Sequence, residues 1–178
     1  SLGLERLRRD LKDKQSPLAE QASQLGQALK RAIQVVRTIS RGLAPMLGEG
    51  GDLEVVLARL VDDTERLHGI ECVSQLDGAR QVQDANDATQ VYRIAQEALA
   101  NAVRHGRATQ VRVQADCSGG LFHLTIDDDG SGLPAGPSRP GLSMRSMTSR
   151  ARILGGNLNF DSGEQGGTRV SLTFPLRS

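Results

Sequence analysis

The chain has 178 residues, 38% of them hydrophobic, and its 22 Lys and Arg nearly cancel its 21 Asp and Glu, leaving a formal net charge of +1. That length holds one ordinary domain plus a smaller element, and the balanced charge excludes a general attraction to nucleic acid or to an anionic membrane surface. One Tyr, three Phe and no Trp exclude the stacking platforms of single-strand nucleic-acid binders, so the core is expected from Leu, Val, Ile and Ala.

In chain order, "LGLERLRRDLKDK" (2–14) places Leu4, Leu7 and Leu11 at helical spacing, and Ser16-Pro17 breaks the pattern. A long helix is expected from about Leu18 to Leu43, with Leu18, Leu25, Leu29, Ile33, Val36 and Ile39 on one stripe. Residues 1–45 therefore read as a helical hairpin whose thin seam needs a partner, or else docks on the following domain. The chain opens inside a charged amphipathic pattern without an initiator Met, as expected of a piece of a longer protein. Pro45 and "GEGG" mark a linker over 46–52.

A helix follows, with Asp52 as N-cap and Gly69 as its stop. Ile70–Leu76 suits a short strand and 78–86 a polar loop. Asp87–His105 reads as an alanine-rich helix ended by Gly106. Residues 109–116 and 121–129 alternate as a hairpin around "CSGG". A loop rich in Gly, Pro and Ser (130–141) leads to a helix ending at Leu154, and a last strand pair surrounds "EQGG". The expected fold over 53–178 is an α/β (α+β) sandwich, a mixed and mostly antiparallel sheet layered by helices. Cys72 and Cys117 lack metal-ligand spacing and are expected to be reduced, partly buried thiols of a cytosolic protein. No apolar run reaches the ~18–20 residues of a membrane span.

Four segments carry chemistry. In "QEALANAVRHG" (96–106), Glu97, Asn101 and Arg104 stand at i, i+4 and i+7, a polar line beside the apolar stripe of Val91, Ile94, Ala95, Ala98 and Ala102. Such a line is either a solvated face or the wall of a site. "DDDGSGLP" (127–134) comes off a strand, so Asp128 is an acceptor suited to an exocyclic amine, and Gly130 and Gly132 permit close backbone approach to a flat ligand. An acidic turn is the plain alternative. "RPGLSMRSM" (139–147) opens a helix on Gly141, whose free N–H groups suit a phosphate. "GGTRV" offers the small pair Gly166-Gly167 before Thr168.

In this order, "EALANAVRH", "DDGSG", "PGLSMRSM" and "GGTRV" resemble the N box, the two glycine boxes and the closing GT segment of the ATP-binding (GHKL) domain of histidine kinases, Hsp90-type chaperones, MutL and gyrase. The upstream "VVRTISRGLAPMLGEGGDLEVVLARLV" resembles sensor histidine kinases of the nitrate-sensor class. The resemblance implies ATP and Mg²⁺ as cofactors, with Asn101 as metal ligand. It implies that Glu97 orients a metal-bound water or assists proton removal, and that Arg104 and His105 lie by the phosphates and ribose. Asp128 would accept the adenine amine, and Gly130, Gly132, Gly167 and Thr168 would shape its slot. Gly141 and Leu142 would belong to a mobile lid. Arg139 stands where the second box has its first glycine.

The implied reaction passes the γ-phosphate of ATP to a histidine and then to an Asp on a response-regulator receiver domain, within a homodimer joined by the hairpin. The expected location is cytoplasmic, with membrane anchoring of the parent left open. The chain has three histidines, none before His68. His68 reads as a helix-end residue, His123 as structural, and the phosphoacceptor is expected upstream of Ser1. A non-catalytic nucleotide-gated dimerisation module and a serine kinase or ATPase of the same fold remain the alternatives.

Overall fold

The computed structural model describes residues 52–133, 141–163 and 166–177. The expected hairpin over 1–45, the linker glycines and Arg139 lie outside them. The elements are α1 (Leu53–His68), β1 (Glu71–Gln75), a 3₁₀ turn (Asp77–Gln81), α2 (Ala85–Asn101), a π-helical turn (Ala102–Gly106), β2 (Gln110–Ser118), β3 (Leu121–Asp128), α3 (Leu142–Ile153), β4 (Asn157–Ser162) and β5 (Thr168–Pro175).

Local chemistry explains their ends. Asp52 caps α1 by accepting from the Glu54 N–H at 2.9 Å, and Gly69 closes it at φ 67. Asp84 accepts from the Asp87 N–H at 2.8 Å and starts α2. The β2–β3 hairpin turns on Gly119 and Gly120, both at positive φ, as a two-residue turn of this hand requires. It begins two residues later than expected, because Cys117 and Ser118 still pair with Phe122 and Leu121.

The five strands run in the order β1-β2-β3-β5-β4, with β1 parallel to β2 and all other pairs antiparallel. Side chains alternate across the pleat. Val111, Val113, Ala115, Phe122, Leu124, Ile126, Val170, Leu172 and Phe174 form the buried face. Against them pack Leu53, Leu57 and Val61 of α1, Val91, Ile94, Ala95 and Ala98 of α2, and Met147 and Ala151 of α3. Phe122 and Phe174 are register partners with ring centroids 5.2 Å apart. The other face is polar. There Arg112, Asp127, Arg169 and Asp161 form one cross-strand row of alternating charge.

The region expected as a loop at 78–86 begins instead with the 3₁₀ turn. A Cβ on Gly78 would come within 2.4 Å of the Asp116 backbone, so only glycine lets this turn lie on β2. Cys117 Sγ donates to the Gly78 carbonyl at 3.3 Å, and both cysteines are free and partly buried. Burial, with Glu65 and Asp62 nearby, pushes the Cys72 thiol up to about 11, which makes it a poor nucleophile at neutral pH.

Asp87, in the first turn of α2, is 2% exposed, and its Oδ2 pairs with Arg177 Nε at 3.1 Å. Burial raises its carboxyl above the usual range, against the lowering by Arg177. An acid whose pKa is raised by folding loses stability as it ionises, and Arg177 offsets that loss. Arg177→Ala is therefore expected to cost about 1–2 kcal/mol at pH 7, less than for a fully buried pair because Arg177 is half exposed. The deficit should shrink as pH falls and Asp87 protonates, which urea melts from pH 7 to pH 4 would show.

Candidate functional site

At one end of the sheet, the three consecutive aspartates of "DDDG" do three different jobs. Asp127 faces the polar side of the sheet and accepts from Arg169 Nε at 2.7 Å. Asp129 accepts from the Thr109 N–H at 2.7 Å, from its hydroxyl and from the Gln110 N–H at 2.9 Å, which pins the entry to β2 and holds its carboxyl below the usual range. Asp128 turns the other way, into a set of glycines.

Asp128 Oδ1 accepts from the Gly130 N–H at 2.9 Å and from the Thr168 N–H at 3.2 Å. Burial raises its carboxyl above the usual range, although these two N–H groups pull it down. Three glycines crowd it. A Cβ on Gly167 would lie 1.9 Å from the Asp128 carbonyl and 2.6 Å from Oδ1. One on Gly130 would lie 2.3 Å from the Gly106 carbonyl, and one on Gly106 3.2 Å from Asp128 Oδ1. Gly132, at φ 74, approaches the Gly167 carbonyl in the same way, at 3.1 Å. Any side chain at Gly130 or Gly167 would push apart the three segments that meet here.

Gly106 was legible only as a helix stop. In the structure it ends a π-helical turn, a form that concentrates at functional sites, and its carbonyl accepts from the Ser131 N–H at 2.7 Å. This turn carries the chain from Asn101, the last residue of α2, to the Asp128 cluster. Gly106, at its end, is the residue whose added Cβ would lie 3.2 Å from Asp128 Oδ1. Arg107 at φ 51 completes the turn.

The polar line on α2 meets the start of α3. Asn101 Nδ2 donates to Ser143 Oγ at 2.9 Å, and the Ser143 hydroxyl donates to Glu97 Oε1. Asn101 Oδ1 lies 3.2 Å from the same hydroxyl. Arg104 Nη2 stands 3.9 Å from Glu97 Oε1 while its Nε donates to the Ala100 carbonyl at 3.1 Å. Two turns before Glu97 on α2, Gln90 Oε1 accepts from Arg150 of α3 at 3.0 Å. Burial and the neighbouring Arg93 lower the pKa of its guanidinium.

The sequence-derived residues thus fall into two groups, Glu97–Asn101–Arg104 and Asp128–Gly130–Gly132–Gly167–Thr168. Gly141 and Leu142 stand at the start of α3, next to Ser143. Gly141 caps α3 at φ −60 without a side-chain bond, and nothing lies within 4 Å of a Cβ added there. Leu142 is 85% exposed. The α3 residue that reaches the N box is Ser143, which no sequence argument singled out. A serine in a first helical turn is an ordinary cap-region residue, and its partners lie 42 and 46 positions away. Of His105, the backbone position in the π-helical turn is described. His123 bridges Ser118 and Thr173 at 3.2 Å each, a structural role as expected.

Residues 86–178 match the family described as histidine kinase-, DNA gyrase B-, and HSP90-like ATPase. The chain is 31% identical over 150 residues to the sensor histidine kinase MctS of Rhizobium johnstonii, covering 82% of this chain and 32% of that protein. It is 28% identical over 161 residues to the oxygen sensor histidine kinase NreB of Staphylococcus carnosus, covering 89% and 46%. Among solved structures it resembles the ATP-binding domain of PrrB from Mycobacterium tuberculosis, with 27% identity and a TM-score of 0.58 over 71% of this chain and 96% of that one. The chain spans less than half the length of these two curated relatives.

Proposed function

We propose, since the chain belongs to the histidine kinase-, DNA gyrase B-, and HSP90-like ATPase family, that it is the nucleotide-binding catalytic fragment of a sensor histidine kinase. The observation that carries this is the Asp128 cluster: a half-buried carboxylate whose Oδ1 accepts from two backbone N–H groups, ringed by glycines and joined through the π-helical turn to Asn101. A carboxylate so placed accepts the amine of adenine and opposes the carbonyl of guanine. Gly130, Gly132 and Gly167 admit a flat ring, with Thr168 at its edge.

Among the described residues no group of three or more His, Cys, Asp or Glu could hold a metal by itself. The donor set fits Mg²⁺ in another way, since Mg²⁺ keeps waters and shares phosphate oxygens, and one carboxamide oxygen from Asn101 completes such a site. Bound there, Mg²⁺ supplies charge neutralisation on the triphosphate. Glu97, one turn before Asn101, is assigned the role of orienting a metal-bound water or assisting proton removal. Arg104 and His105 are assigned to the phosphates and ribose, and the start of α3 at Gly141 and Leu142, which has no side-chain cap, offers N–H groups to the phosphates. Phosphoryl transfer needs mainly such positioning and charge.

Residues 53–178 are assigned to this domain and 1–45 to a dimerisation hairpin. The acceptor histidine lies on another segment, and the receiver domain of a response regulator takes the phosphoryl group from it. Among the described residues no helix is long and apolar enough to cross a membrane. Incubated with γ-labelled ATP, this chain is expected to bind nucleotide without retaining label. A helix bearing an acceptor histidine, added in trans, should become labelled. Stable label on the chain itself, or none on any acceptor helix offered, would overturn the assignment.

A further inference from the structure

The Ser143 hydroxyl has one proton and three polar atoms in reach: Glu97 Oε1, Asn101 Nδ2 at 2.9 Å and Asn101 Oδ1 at 3.2 Å. A carboxylate is the stronger acceptor, since charge-assisted bonds are roughly twice as strong as neutral ones. The proton therefore goes to Glu97. Toward Asn101, Ser143 Oγ is then an acceptor, and Asn101 turns its Nδ2 to it, the shorter of the two contacts. The chain of donation runs from the Asn101 amide to Ser143, which accepts and passes its own proton to Glu97.

We propose that Ser143 is the positioning residue that decides which end of the Asn101 carboxamide faces the nucleotide's cation. A terminal amide rotates by half a turn at little steric cost, and only one of its two ends ligates a hard cation. With Nδ2 tied to Ser143 and the hydroxyl's proton given to Glu97, Oδ1 receives no proton from Ser143 and is the end left for ligation. With Ser143 absent, the Nδ2 protons bond to Glu97 or water, and the ligand oxygen is presented only part of the time. Ser143 sits in the first turn of α3, so the same bond makes the metal ligand's orientation depend on where that helix lies. The inference rests on the nucleotide-binding reading above.

The test compares wild type with Ser143→Ala, Ser143→Thr and Asn101→Ala, measuring ATP affinity by calorimetry with millimolar Mg²⁺ and with EDTA, and adenosine affinity alone. Ser143→Ala is expected to lose roughly five- to tenfold of the Mg²⁺-dependent gain in ATP affinity. Its EDTA and adenosine affinities should stay within about twofold of wild type. Ser143→Thr, which keeps the hydroxyl, should restore the gain, and Asn101→Ala should lose it altogether. A full Mg²⁺ gain in Ser143→Ala overturns the proposal, and so does an equal loss with and without Mg²⁺, which marks a merely structural residue. If wild type binds no ATP at all, the underlying assignment falls with it, a result distinct from either of these.

Discussion

Asp128→Asn is expected to weaken ATP binding by roughly 10- to 100-fold while leaving the domain as stable as wild type or slightly more so. Both halves follow from one environment. Burial raises the Asp128 carboxyl, against the Gly130 and Thr168 N–H groups. An acid raised by folding favours the fold below its unfolded pKa, and that contribution is lost as pH climbs through the folded value. At pH 7 the ionised group is therefore held at a cost. The Asn isostere keeps an acceptor for the two N–H groups and carries no charge, so its melting temperature should not fall.

Binding behaves in the opposite way. A bond to a charged acceptor is worth about 1.5–3 kcal/mol, each 1.4 kcal/mol being tenfold in affinity, and an amide can turn a repelling donor toward the adenine amine. Wild-type affinity for ATP should decline as pH is lowered through the Asp128 transition, whereas the Asn variant should be flat. Calorimetric titration at pH 7 and pH 5, beside thermal melts, checks all of this. A destabilised variant with normal ATP affinity would make Asp128 a structural turn residue.

Gly167→Ala should do more damage than any other single methyl group in the domain's loops. Gly167 sits at φ 68, where an L side chain costs about 1–2 kcal/mol, and its added Cβ would fall 1.9 Å from the Asp128 carbonyl. Relief requires that the β3–Gly130 segment separate from the start of β5. A total cost of at least 3 kcal/mol is expected, a drop of roughly 6–12 °C in melting temperature, together with loss of ATP binding. The adjacent Gly166 supplies the control. It also has positive φ, at 90, but nothing lies within 4 Å of its Cβ. Gly166→Ala should show the backbone cost alone, about 1–2 kcal/mol, and keep ATP affinity. Equal effects at the two positions would mean that backbone conformation, not the close approach to Asp128, is what glycine serves here.

Those two glycines show what could be read in advance. "GGT" announces small residues before a strand, but which of the pair is crowded depends on a carbonyl about 40 residues earlier. The same limit holds for "DDDG". Asp128 was legible as an acceptor at a strand end, yet the division of labour with Asp127 and Asp129 depends on Arg169 of β5 and on Thr109 just before β2. Local signals did well where the physics is local: the Asp52 cap, the Gly69 stop and the Gly119-Gly120 turn. They did poorly at Asp77–Gln81, where a polar segment is buried through its glycine and alanine and so shows no apolar period. Ser143 was missed for the same reason that it matters: its partners are on another helix.

The most direct test is a crystal structure of the fragment with Mg²⁺ and a non-hydrolysable ATP analogue. Adenine should lie within hydrogen-bonding distance of Asp128, and the cation should be ligated by Asn101 Oδ1 and phosphate oxygens, one nucleotide spanning the π-helical turn. An analogue bound with its base away from Asp128 or its metal away from Asn101 would contradict the proposed site, and with it the kinase assignment.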